Sequence, residues 1–105
     1  MNKITELNDD LRAKMLRPNP PGRIMLTQGI QALPVSVKVE ALMAIKRFTQ
    51  FDPNGEHDFI TVEVHGCKIF AKIDYYDNSL EFASEDPADP NKTTRVMTVM
   101  LAEEY

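Results

Sequence analysis

The chain has 105 residues, 43% hydrophobic and 27% charged, with a formal net charge of −4, the balance of one soluble globular domain with a modest core. No apolar run approaches the roughly 18 residues of a membrane span, and an acidic surface repels nucleic acid. Cys67 is the single cysteine, which excludes an internal disulfide, and MNKITELNDDLRAKM has no apolar signal core, so a reduced cytoplasmic setting is expected.

Residues 3–16 predict a helix, because Ile4, Leu7, Leu11 and Met15 recur at spacings of three and four and Asn2 can cap the start. The run Pro18-Asn19-Pro20-Pro21-Gly22 ends it, since proline removes backbone donors and restricts the residue before it. Residues 18–22 thus form a stiff connector, and residues 1–17 are expected to pack less firmly than the rest of a single domain, 1–105. Arg23 to Gln28 (RIMLTQ), followed by Gly29, reads as a strand. Residues 34–40 are open to two readings: Val35, Val37 and Val39 alternate like a strand, whereas EALMAIKRF continues as a helix. A helix from about Val35 to Thr49, with Pro34 near its first turn, accommodates the longer stretch. Asp52-Pro53-Asn54-Gly55 has the residues of a turn.

Phe59 to Tyr75 predicts a hairpin with His65-Gly66 as a two-residue turn. That register sets Val64 against Cys67, Val62 against Ile69 and Ile60 against Ala71 on an apolar face. The other face sets Glu63 against Lys68, Thr61 against Phe70, Phe59 against Lys72, and His57 against Asp74. A second turn at Asp77-Asn78 would bring Leu80 beside Tyr75, Phe82 beside Ile73, and Glu81 beside Asp74. An acidic loop, SEDPADP, follows, and residues 92–104 fit a last helix through Val96, Val99, Met100 and Glu103.

The expected fold is α+β, a two-layer sandwich of a mainly antiparallel four-stranded sheet with helices on one face, in the order α-β-α-β-β-β-α. Its core should hold Ile60, Val62, Val64, Ile69, Ile73, Leu80, Phe82, Leu42, Ile45, Val96 and Met100.

Two constellations could carry function. His57, Asp74 and Glu81 would form one row, with the side chains of a one-histidine, two-carboxylate metal site or of a general base. No nucleophile joins them, so catalytic residues are not assigned; a divalent metal is the alternative to no cofactor. The other constellation is a protein-contact surface. Phe59 and Phe70 share the face away from the helices, beside Lys68 and Lys72. Residues 1–50 balance at +4 and residues 51–105 at −8, so Asp77, Glu85, Asp86 and Asp89 would meet a basic partner.

The strings GEHDF (55–59), KIDYYD (72–77), SEDPADP (84–90) and TTRVMTVMLAEEY (93–105), with RIMLTQGI before them, resemble a family of small alphaproteobacterial proteins of unknown function, often found in plasmid or prophage settings. The resemblance implies a stand-alone cytoplasmic domain with an accessory or anti-defence role on a mobile element, and carries over no catalytic residue. The expected function is a non-enzymatic protein-interaction module with a basic protein partner or a second copy of itself, and without direct nucleic-acid or membrane contact. The alternative is a metal-dependent hydrolase or metal-binding domain.

Overall fold

The computed structural model describes residues 2–105. In chain order it contains α1 (Lys3–Ala13), β1 (Arg23–Leu26), α2 (Gln28–Gln31), α3 (Val35–Arg47), β2 (Phe59–Val64), β3 (Cys67–Tyr76), β4 (Thr94–Leu101) and a 3-10 helix, Ala102–Glu104. The hairpin follows from its turn: His65 and Gly66 both take positive φ, 50° and 79°, as a two-residue turn of the primed type requires. β2 and β3 then pair antiparallel from Phe59↔Lys72 to Val64↔Cys67, in the register anticipated.

The four strands lie in the order β1-β4-β3-β2. β4 pairs antiparallel with β3 and parallel with β1, so the sheet is mixed. Alternation along these registers sends Ile60, Val64, Ile69, Ala71, Ile73, Met97 and Val99 to one face, where they join Leu11, Met15, Ile30, Ala41 and Ile45 from the helical layer in one buried cluster. Burying one such side chain stabilises the fold by about 1.5–3 kcal/mol. Leu11 and Met15 lie in the core at 0% and 4% exposure, so the segment before the proline run is seated on the domain. Residues 35–47 are helical, which resolves the 34–40 ambiguity for α3. The strand anticipated from Arg23 to Gln28 ends at Leu26, and Gln28 opens the short α2, whose N-cap residue Thr27 makes no side-chain capping bond.

Two expectations are corrected. Residues 92–104 do not form a helix. Thr94–Leu101 is a central strand, because Arg95, Met97 and Val99 alternate on the buried side and the segment is rich in Thr and Val. Met100 is buried, at 5% exposure, on the opposite side from the helices, and Val96 is partly buried there. The second hairpin does not close at Asp77-Asn78 either. The chain reverses over a longer loop, and Ala83 reaches back to bridge Tyr76, so Leu80 is not set beside Tyr75. The Asp77 carboxylate organises that loop by accepting from Ser79 Oγ (2.8 Å), Glu81 N (3.2 Å) and Phe82 N (3.4 Å). Leu80 and Phe82, placed in the core by the shorter turn, are 36% and 69% exposed.

Candidate functional site

Among the described residues, no helix covers the second face of the sheet. On it the registers place Phe59, Thr61 and Glu63 of β2, Lys68, Phe70, Lys72, Asp74 and Tyr76 of β3, Thr98 and Met100 of β4, and Met25 of β1. Phe59 and Phe70 meet with ring centroids 5.1 Å apart. A third ring joins them, that of Tyr105, at 5.8 Å from Phe59 and 5.6 Å from Phe70, edge-on to both. Such tilted and edge-to-face pairs satisfy the ring quadrupoles and contribute about 0.5–1.5 kcal/mol each beyond burial. Lys68 Nζ lies 5.8 Å from the Phe70 ring centre. Lys72 reaches Asp74 at 3.2 Å, and that hydrogen bond and charge raise the lysine pKa.

Tyr105 is the site residue that sequence reasoning missed. It is placed by its neighbour. The Glu104 carboxylate accepts from Thr27 Oγ1 (2.6 Å), Gly29 N (3.1 Å) and Leu101 N (2.8 Å), which ties the 3-10 helix to the start of α2. These bonds, Thr27 first, lower the Glu104 pKa. Gly29 leaves the room: a Cβ there would stand 2.6 Å from Glu104 Oε1 and 2.7 Å from Leu101 Cδ1.

The His57, Asp74, Glu81 row does not assemble. β2 begins at Phe59, and His57, with φ of 61°, turns to the helical layer, where its Nδ1 meets Asp9 Oδ1 at 2.8 Å and its ring stacks on Phe51 at 4.1 Å. Asp74 stays on the open face opposite Val96. Glu81 is exposed in the long loop. Among the described residues no group of three or more His, Cys, Asp or Glu side chains is placed to hold a metal ion.

The acidic residues also have local partners. Asp77 holds its own loop, as above. Asp86 Oδ1 accepts from Ala88 N at 3.3 Å and Asp89 Oδ1 from Asn91 N at 2.9 Å, while Glu85 is exposed. Seven residues of strand, about 23 Å at ~3.3 Å each, separate Phe70 from Asp77.

Beneath α1 lies a buried polar network. Asn8, 1% exposed, donates to Tyr75 Oη (2.8 Å) and to the Glu56 carbonyl (3.0 Å) and accepts from Arg95 Nε (2.9 Å). Tyr75 Oη donates to Glu56 Oε1 at 2.9 Å, and burial pushes its pKa far upward. The Arg95 guanidinium sits 5.1 Å from the centre of the Tyr75 ring and bonds the Pro87 carbonyl, which fastens the acidic loop to the core. Burial lowers the Arg95 pKa. Arg12 lies 4.8 Å from the centre of the Phe51 ring, its Nη2 3.4 Å from Asp9. Every donor and acceptor of the Asn8 carboxamide is engaged within the chain, so this cluster seals α1 onto the sheet.

A four-stranded mixed sheet, covered on one face and bearing a three-ring cluster on the other, defines an α+β domain with a free sheet face. The chain belongs to the family described as "Protein of unknown function (DUF3768)", whose model matches residues 26–104. α1, which supplies Asn8, Asp9 and Arg12 to the polar network, precedes the matched residues. No curated protein and no solved structure matches the chain.

Proposed function

We propose that this chain is a non-enzymatic protein-interaction module whose helix-free sheet face docks a protein partner. The observation that carries this reading is the cluster of Phe59, Phe70 and Tyr105 on that face, with Phe59 40% and Tyr105 73% exposed. Met25, on the same face, is 53% exposed. Aromatic and Met side chains are enriched at interfaces, the rings because they bury much area with only two rotatable bonds to immobilise, and Met because its flexible, polarizable thioether adapts to the surface it meets. A basic partner is favoured by the net charge of −4 and by exposed Glu85 in the loop beyond β3, which would speed encounter and set orientation. The resemblance to small bacterial mobile-element proteins supports an accessory or anti-defence role in the cytoplasm, the partner being a host protein whose basic surface handles nucleic acid.

The test is capture of host proteins on the immobilised full chain, comparing Phe59→Ser and Phe70→Ser with Val39→Ser, which alters an exposed position of α3. The reading expects a partner that the parent and Val39→Ser retain, that the two face variants lose by at least about tenfold, and that is weakened when Glu85, Asp86 and Asp89 are neutralised together. Equal retention by the face variants contradicts it.

A further inference from the structure

We infer that the β2 edge pairs with the β2 edge of a second copy of this chain, antiparallel about a two-fold axis at Thr61, to give one continuous eight-stranded sheet. The phase of the ladder carries this. Ile73 N donates to the Asp58 carbonyl at 2.8 Å, so Asp58/Ile73 is a hydrogen-bonded pair, and with the register so are Ile60/Ala71, Val62/Ile69 and Val64/Cys67. Phe59, Thr61 and Glu63 therefore turn their N–H and C=O groups away from β3. Among the described residues, no turn, loop or side chain engages them.

Monomeric sheets defend such an edge with proline, a bulge, an inward charge or lysine. FITVEV has no proline, lysine, bulge or inward charge: six consecutive residues pair without interruption, the strand is rich in β-branched residues, and its one charge, Glu63, lies on the open face opposite Lys68. The other edge, β1, has only four residues and follows directly on the Pro20-Pro21-Gly22 run.

The edge is complementary to itself. Centred on Thr61, the pairing opposes Thr61 to the second copy's Thr61 and Phe59 to its Glu63. Each of these pairs exchanges two main-chain bonds, roughly six in all. Threonine opposite threonine is a favourable cross-strand pair, and no like charges face each other. Glu63 falls between its own cross-strand partner Lys68 and the second copy's Phe59, with that copy's Lys72 one strand further along the same row. Because paired residues share a face, the two open faces become one surface with a Phe59–Phe70–Tyr105 cluster on each side of the seam. The inference stands on the backbone edge and is independent of the basic-partner reading.

Sedimentation of the full chain tests it, together with amide hydrogen exchange. The variants are Thr61→Lys, which sets like charges on the axis, and Thr61→Pro, which removes an N–H that β3 does not use. The parent is expected to dimerise with Kd of about 10 μM or tighter. Thr61→Lys should weaken the dimer at least about tenfold with its circular dichroism unchanged, and the amides of Phe59, Thr61 and Glu63 should exchange slowly only in the dimer. A parent that stays monomeric at several hundred micromolar, or a dimer indifferent to Thr61→Lys, overturns the inference. A dimer dispersed by Phe70→Ser but not by Thr61→Lys also overturns it, by assigning the contact to the sheet face instead of the edge.

Discussion

Phe70 and Tyr105 meet edge to face, their ring centroids 5.6 Å apart. One ring stands on a central strand. The other is carried by the short helix that Glu104 ties to Thr27 and Gly29. The aromatic face therefore depends on a polar latch at the end of β1.

That dependence predicts a coupling between Gly29 and Glu104. Gly29→Ala improves intrinsic helix propensity in α2 by about 1 kcal/mol, but its methyl occupies the space of the Glu104 carboxylate. Gly29→Ala and Glu104→Gln should each reduce the ring-current shifts of Tyr105 on Phe70. Made together they should do no more than either alone, because both remove one latch. Proton NMR of the two singles and the double checks this.

Asn8→Ala should destabilise the fold by about 2–3 kcal/mol, because it leaves Arg95 Nε and Tyr75 Oη without their carboxamide partner in a buried site. For a domain of this size that corresponds to a fall in melting temperature of roughly 10 °C. Thermal unfolding at neutral pH measures it.

Tyr75 should make the fold sensitive to alkali. Burial raises its folded pKa well above the ordinary 10.0, whereas the unfolded chain ionises near that value. The stability held by the neutral phenol is complete below about pH 10 and is lost as pH rises further. Tyr75→Phe should be less stable than the parent at neutral pH, by about 1 kcal/mol for the lost hydrogen bonds. The gap should narrow as pH rises from about 9 to 11, as urea unfolding across that range would show.

The hairpin turn gives a local prediction. Gly66 has φ of 79° with nothing near its Cβ position, so Gly66→Ala pays only the left-handed backbone penalty, about 1 kcal/mol. His65→Asn should keep the turn, since asparagine tolerates that region, while losing the 2.6 Å contact from His65 Nε2 to Glu40. Paired urea titrations of the two variants separate these effects.

The first hairpin was legible because a two-residue turn leaves one register, and Glu63 against Lys68 agrees with it. β4 was not legible as a strand because its buried row contains Arg95. A charged residue between apolar ones disguises a period of two, and Val96, Val99, Met100 and Glu103 also fit a helical spacing. Arg95 is tolerated there because Asn8, far away in the sequence, accepts from its Nε, a contact no local pattern displays.

The aromatic face was legible from Phe59 and Phe70, since both follow from the hairpin alone. Tyr105 was hidden by the misread last segment. The metal row failed for a related reason: Asp77 caps a long loop with its side chain, so Glu81 is carried away from Asp74, and the Asp9 contact with His57 depends on where α1 docks.

Site-specific photo-crosslinking in the host cell tests the docking face most directly. A photoreactive phenylalanine analogue is placed in turn at Phe59, at Met25 and, as control, at Val39 on α3. The account predicts one partner crosslinked from positions 59 and 25 and absent from 39. A partner crosslinked from position 39 alone, or no partner product from either sheet position, would contradict it.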